Sequence, residues 1–139
     1  MNHSDEDPVE KFAETARLVV HLEQAYDVID ELARSPDKYE DSLAKLSRLA
    51  VKVLKDIDDM IEKLKRSQDE SNKIEKENLE EAKRHIINFN EHLKLLFRYL
   101  KEYENIDKNK RYKEIKRLAA LMIAPDAFSL TVKEIIEEK

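Results

Sequence analysis

The chain contains no glycine in 139 residues. At the usual share of about 7%, chance alone would leave a chain of this length without one in roughly one case in 20,000. Left-handed turns, tight hairpins, strand bulges and phosphate-cradling loops all rely on glycine, because a residue without a Cβ enters those backbone regions without strain. What remains is a chain of helices joined by connections that ordinary residues can make.

Apolar spacing points the same way. From Tyr39 the series Leu43, Leu46, Ala50, Val53, Ile57, Met60, Leu64 advances by threes and fours, which lines one face of a helix. Leu79, Ala82, Ile86, Phe89, Leu93, Leu96, Leu100, Tyr103 does the same. Val9, Phe12, Ala16, Val19, Leu22, Tyr26, Ile29, Ala33 forms a third stripe, widened by Leu18, Ala25 and Leu32.

All three prolines stand where a helix can begin. Asp7, Pro8 and Glu10 supply an N-cap, a first-position proline and an N3 carboxylate, and Ser35 with Pro36 repeats the device. Helices are therefore expected over 8–34 and 36–65. A break follows within 67–72, where residues 67–70 offer another capping box, and a third helix runs to residue 104, ended by Asn105 and Ile106. Asp107 caps a fourth helix over 108–124, and Pro125 interrupts it before a last segment with Phe128, Val132, Ile135 and Ile136 as its apolar side. At 1.5 Å per residue, the last two pieces together would cover the same ~45 Å as the first two helices. The expected fold is thus one all-α domain over 1–139: an antiparallel four-helix bundle with its fourth helix broken at Pro125, five helical segments in all, and residues 1–6 disordered.

Composition narrows the function. Without cysteine there is neither a disulfide framework nor a thiolate metal site. No apolar run approaches the ~20 residues that span a bilayer, and the first residues are acidic where a signal peptide would be basic, so a cytoplasmic protein without a membrane role is expected. No nucleophile stands beside a base, and neither a glycine-rich phosphate loop nor zinc-ligand spacing occurs, so no catalysis and no cofactor are expected.

Two constellations stand out. His85 and His92 lie seven apart on the flank of the third helix with Asn88 between them, and His21 holds a comparable flank of the first. Were these helices neighbours, His21, His85 and His92 would converge on a metal or haem; against this, a spacing of seven puts two imidazoles ~10 Å apart along the axis. The second constellation is basic. Residues 107–117 carry Lys108, Lys110, Arg111, Lys113, Lys116 and Arg117 against two acids, a net +4 in a chain of −5. Lys94, Arg98 and Lys101 lead toward it along the third helix. With Tyr99, Tyr103 and Tyr112 interleaved, the surface 94–117 would engage phosphates and stack on bases, although overall acidity opposes generic nucleic-acid affinity.

Val20, Val28, Ile87, Leu95 and Ile123 fall outside the main stripes, more apolar area than narrow seams require. The leading expectation is a non-catalytic helical scaffold or protein-interaction module with a protein partner or self-association. Regular heptads and the missing glycine, cysteine and tryptophan also fit a designed protein. A nucleic-acid-binding domain and a histidine-based metal or haem bundle are the alternatives.

Overall fold

The computed structural model describes residues 8–66, 71–102 and 107–137. Among them are five helices and no strand: α1 (Pro8–Arg34), α2 (Tyr39–Lys65), α3 (Ser71–Glu102), α4 (Lys108–Leu121) and α5 (Pro125–Glu137). None of these residues has a positive φ, so the connections described need no glycine. The expected disorder of 1–6, the Asp7 cap, the capping box at 67–70, Tyr103 and the Asn105–Ile106 helix end lie outside the described residues.

Helix starts follow local chemistry. The Asp107 carboxylate accepts from the amides of Asn109 at 3.0 Å and Lys110 at 3.5 Å, the expected N-cap of α4. Ser35 is non-helical but makes no side-chain cap, and Pro36–Lys38 forms a 3-10 turn before α2 begins at Tyr39. At the other break Ala124 donates to the Leu121 carbonyl at 2.9 Å and accepts from the Phe128 amide at 3.0 Å, so α5 starts with Pro125 at its first position.

Cross-helix contacts give the directions. Glu31, His21 and Glu14 of α1 meet Lys45, Asp56 and Lys63 of α2, numbers falling on one helix as they rise on the other, so the two are antiparallel. Glu40, Ser47 and Asp58 of α2 meet Lys101, Asn90 and Lys83 of α3 in the same sense. On α5, by contrast, Asp126 meets His85 and Phe128 packs on Phe89 with ring centroids 5.0 Å apart. Here both numbers rise together, so α5 runs parallel to α3.

The chain therefore reverses after the break. Phe128, Val132 and Ile135 join one buried cluster with Ile115, Leu118, Ala119 and Met122 of α4, Leu93, Leu96 and Leu100 of α3, Val28 and Leu32 of α1, and Leu43 and Leu46 of α2. The second cluster, Val53, Ile57 and Ile61 with Leu18, Leu79, Ala82 and Ile86, draws only on α1, α2 and α3. The break at Pro125 stands where the sequence places it, but the two pieces do not share out the bundle's length. They lie against one half, which is five helices thick, while the other half is three. The proline's missing donor and the turn at 122–124 free the chain to fold back, and burying Phe128 and Val132 completely rewards it.

The first helix differs from expectation too. Its buried seam is Glu14, Leu18, His21, Ala25, Val28 and Leu32, at steps of four and three, and the more apolar stripe from Val9 to Tyr26 faces out. The two polar seam residues are matched from α2: Lys63 pairs with Glu14 and Asp56 with His21.

Removing a fully buried ring should cost far more than trimming an exposed side chain. In urea denaturation Phe128→Ala is expected to lose about 3–5 kcal/mol and Val51→Ala to stay within about 0.5 kcal/mol of the parent. Similar midpoints for the two would contradict the cluster described.

Candidate nucleic-acid interface

The nine basic residues of the 94–117 surface separate into three groups. Arg111 leaves the surface altogether. It is 8% exposed, and its guanidinium lies 5.7 Å from the Tyr39 ring centroid and 5.6 Å from that of Tyr112. Spacing could have excluded it beforehand, because Arg111, Ile115, Leu118 and Met122 recur at heptad steps on the buried face of α4. Tyr112 and Tyr99 likewise pack against the core cluster, so neither stands out as a free stacking platform.

The second group lies on α3. Lys94 and Arg98 are exposed and line a groove of about 360 Å³ between α2 and α3 with Leu43, Ala44, Ser47, Leu93 and Phe97. At its side the Ser47 hydroxyl donates to the Asn90 amide oxygen at 2.9 Å, a link that apolar patterning did not reveal. Lys101 donates to Glu40 at 3.1 Å and so ties α3 to α2.

The third group is the outward face of α4. Lys110, Lys113 and Arg117 follow one another at three and four residues opposite the buried Ile115 and Leu118, with Lys116 alongside and Lys108 near the helix start. All five are exposed, and none makes an ion pair with a described residue. The face spans about 10 Å of helix at 1.5 Å per residue, a length over which a nucleic-acid strand presents several phosphates.

The histidines do not converge. His21 donates to Asp56 across α1 and α2, His85 donates to Asp126 at 3.0 Å across α3 and α5, and His92 donates to the Asn88 carbonyl at 2.8 Å within α3. Among the described residues no three histidines or acids are grouped to hold a metal.

The protein is an acidic all-helical chain that carries a run of exposed basic residues on one short helix. The chain is 36% identical over 132 residues to the CRISPR system associated protein Csa5 of Thermoproteus tenax, a match covering 95% of this chain and 92% of that one. The protein is a member of the Csa5 family. No protein-family model matches the chain, and no solved structure does. The kinship overturns the expectation of a designed protein, and with it the reading as a stand-alone scaffold or interaction module: the sequence is a natural one, from a family named for a CRISPR system. Its lack of glycine has a plain physical source, since the connections described use no left-handed residue. No described helix is long and apolar enough to cross a membrane.

Arg111 and Lys113, two residues apart, should respond oppositely to truncation. Cation–π contacts are worth about 0.5–2 kcal/mol each and the arginine stem adds packing, so Arg111→Ala is expected to cost about 2 kcal/mol or more, and Lys113→Ala under about 0.5. Thermal or urea melts check this; equal small losses would return Arg111 to the solvent-facing set.

Proposed function

We propose that the protein is a component of a CRISPR system and contacts nucleic acid there through the outward face of α4. The observation that carries this reading is the segregation of charge. Lys108, Lys110, Lys113, Lys116 and Arg117 stand exposed without ion pairs to described residues, on a chain whose net charge is −5. In a CRISPR effector complex the guide RNA reads sequence by base pairing, and protein subunits hold strands by their backbones. A row of lysines suits that task, since it offers point charges for phosphates and no fork aimed at a base edge. The acidic remainder would repel strands elsewhere and so confine contact to this face. The groove with Lys94, Arg98 and Phe97 supports a second contact, where a single-stranded base would lie against the ring with its phosphates on the cations. On this reading the protein works in the cytoplasm, beside the nucleic acid and the other proteins of the system.

Binding to single-stranded and duplex oligonucleotides at about 50 mM salt should be independent of sequence and fall steeply with salt. Four phosphate contacts give a log–log slope of about −3. Lys113→Glu with Lys116→Glu should abolish it without loss of helicity, while Lys73→Glu on the far half should change it little. No mobility shift with any oligonucleotide, or equal loss from both changes, would remove the α4 reading.

A further inference from the structure

Arg111 reaches the groove between α2 and α3 without lining it. Its guanidinium lies 5.7 Å from the centroid of the Tyr39 ring, and Tyr39 in turn meets Phe97 with centroids 6.4 Å apart and planes tilted at 59°. Both contacts fall in the ranges where a cation holds a π face and one ring holds another. Tyr39 is buried and Phe97 half-buried, so the series runs from α4 through the core to the groove wall. The other walls describe the ligand. Leu43 and Leu93 add apolar surface, Lys94 and Arg98 add two cations, and the volume of about 360 Å³ stands at the small end of pockets that hold one small molecule. Ser47 gives its only hydroxyl proton to Asn90 at 2.9 Å, so toward the groove its oxygen can only accept. The walls thus call for a flat ring, a negative charge and an N–H donor together, and an unpaired nucleotide brings all three. In a duplex the base faces are stacked and the pairing donors already used, so a paired nucleotide brings only the charge.

We infer that Arg111 is the positioning residue of this groove: acting through Tyr39, it sets the Phe97 ring on which the base of one unpaired nucleotide lies. The inference rests on the reading of the groove as a nucleic-acid contact and narrows it to unpaired strands. The physical route is ordering. A ring already held stacks on a base without losing freedom, whereas a loose one must be ordered as the base arrives, and affinity falls by that cost. Without the guanidinium, Tyr39 loses the cation on its face and gains room to tilt, and Phe97 loses the ring that holds it. Arg111 itself touches no ligand. It stiffens the groove from α4, the helix whose outward face carries the exposed lysines.

The chain has no tryptophan, so Phe97→Trp gives a single fluorophore at the groove wall. Adenosine monophosphate at millimolar concentration should quench it, as should a single-stranded oligonucleotide, while ribose phosphate and a duplex of equal length should not. Adding Arg111→Met, which keeps an apolar stem, should lower the tryptophan anisotropy of the free protein and weaken nucleotide binding about threefold to tenfold. Arg111→Lys restores a cation and should recover part of the loss; it carries the test if Arg111→Met does not fold. Ile57→Ala controls for stability, because it opens the other buried cluster and should leave nucleotide affinity unchanged. Lys113→Glu with Lys116→Glu should also leave the mononucleotide quench intact, which separates the groove from the α4 face. All variants are compared at equal helicity, well below their melting temperatures. No quench by any unpaired nucleotide, equal quenching by duplex, tighter binding of an acidic aromatic peptide than of any single strand, or an affinity indifferent to Arg111 or lost equally with Ile57→Ala would overturn the inference.

Discussion

Unequal burial along the bundle is the constraint on which the rest depends. Leu32, Leu46, Leu93, Leu96, Leu100, Ile115, Leu118, Phe128 and Val132 are the largest fully buried side chains, and all belong to the cluster in the five-helix half. Each removes roughly 1.5–3 kcal/mol worth of apolar surface from water, so that half holds most of the hydrophobic stabilisation. It can do so only because the chain turns back after Leu121. A fourth helix running straight on would have covered the far half and left Leu93, Leu96 and Leu100 with less against them.

The rotation of α1 follows from a different force. Glu14 and His21 occupy seam positions that apolar residues usually hold, and Lys63 and Asp56 reach across from α2 to satisfy them. A buried carboxylate without a partner is expensive, so once these pairs form the helix is locked about its axis. The locked orientation turns Val9, Phe12, Val19 and Tyr26 outward. The same locking occupies His21 structurally, as Asp126 and the Asn88 carbonyl occupy His85 and His92, and the imidazoles are held on three different contacts.

Electrostatics complete the arrangement. Some cations elsewhere in the protein are answered by acids on neighbouring helices, as Lys83 is by Asp58 and Lys101 by Glu40. On α4 the buried face takes Arg111 into an aromatic setting, and the opposite face collects lysines that make no ion pair with a described residue. A short helix on the rim, in contact with α1 and α5 on its inner side, is free to point that face at a polyanion. Kinship with a CRISPR-associated protein gives the charge pattern a setting that composition did not suggest; heptads without glycine read as design when they were a natural helical chain.

Much was written plainly in the residues. The stripes of α2, α4 and α5, the Asp107 cap, the break at Pro125 and the all-helical class follow from spacing, capping chemistry and ring geometry, which act within a few residues of each other. The exposure of Lys108, Lys110, Lys113, Lys116 and Arg117 was legible too, because a run of basic residues opposite an apolar seam faces solvent. The direction of the chain after Ala124 was not, since a proline ends a helix without saying where the next one points. Nor was the seam of α1: two apolar faces competed there, and the choice fell to Lys63 and Asp56, more than thirty residues away. Local chemistry thus set what each segment is. Only packing, which satisfies distant polar groups and fills volume together, settled which face of each segment is inside.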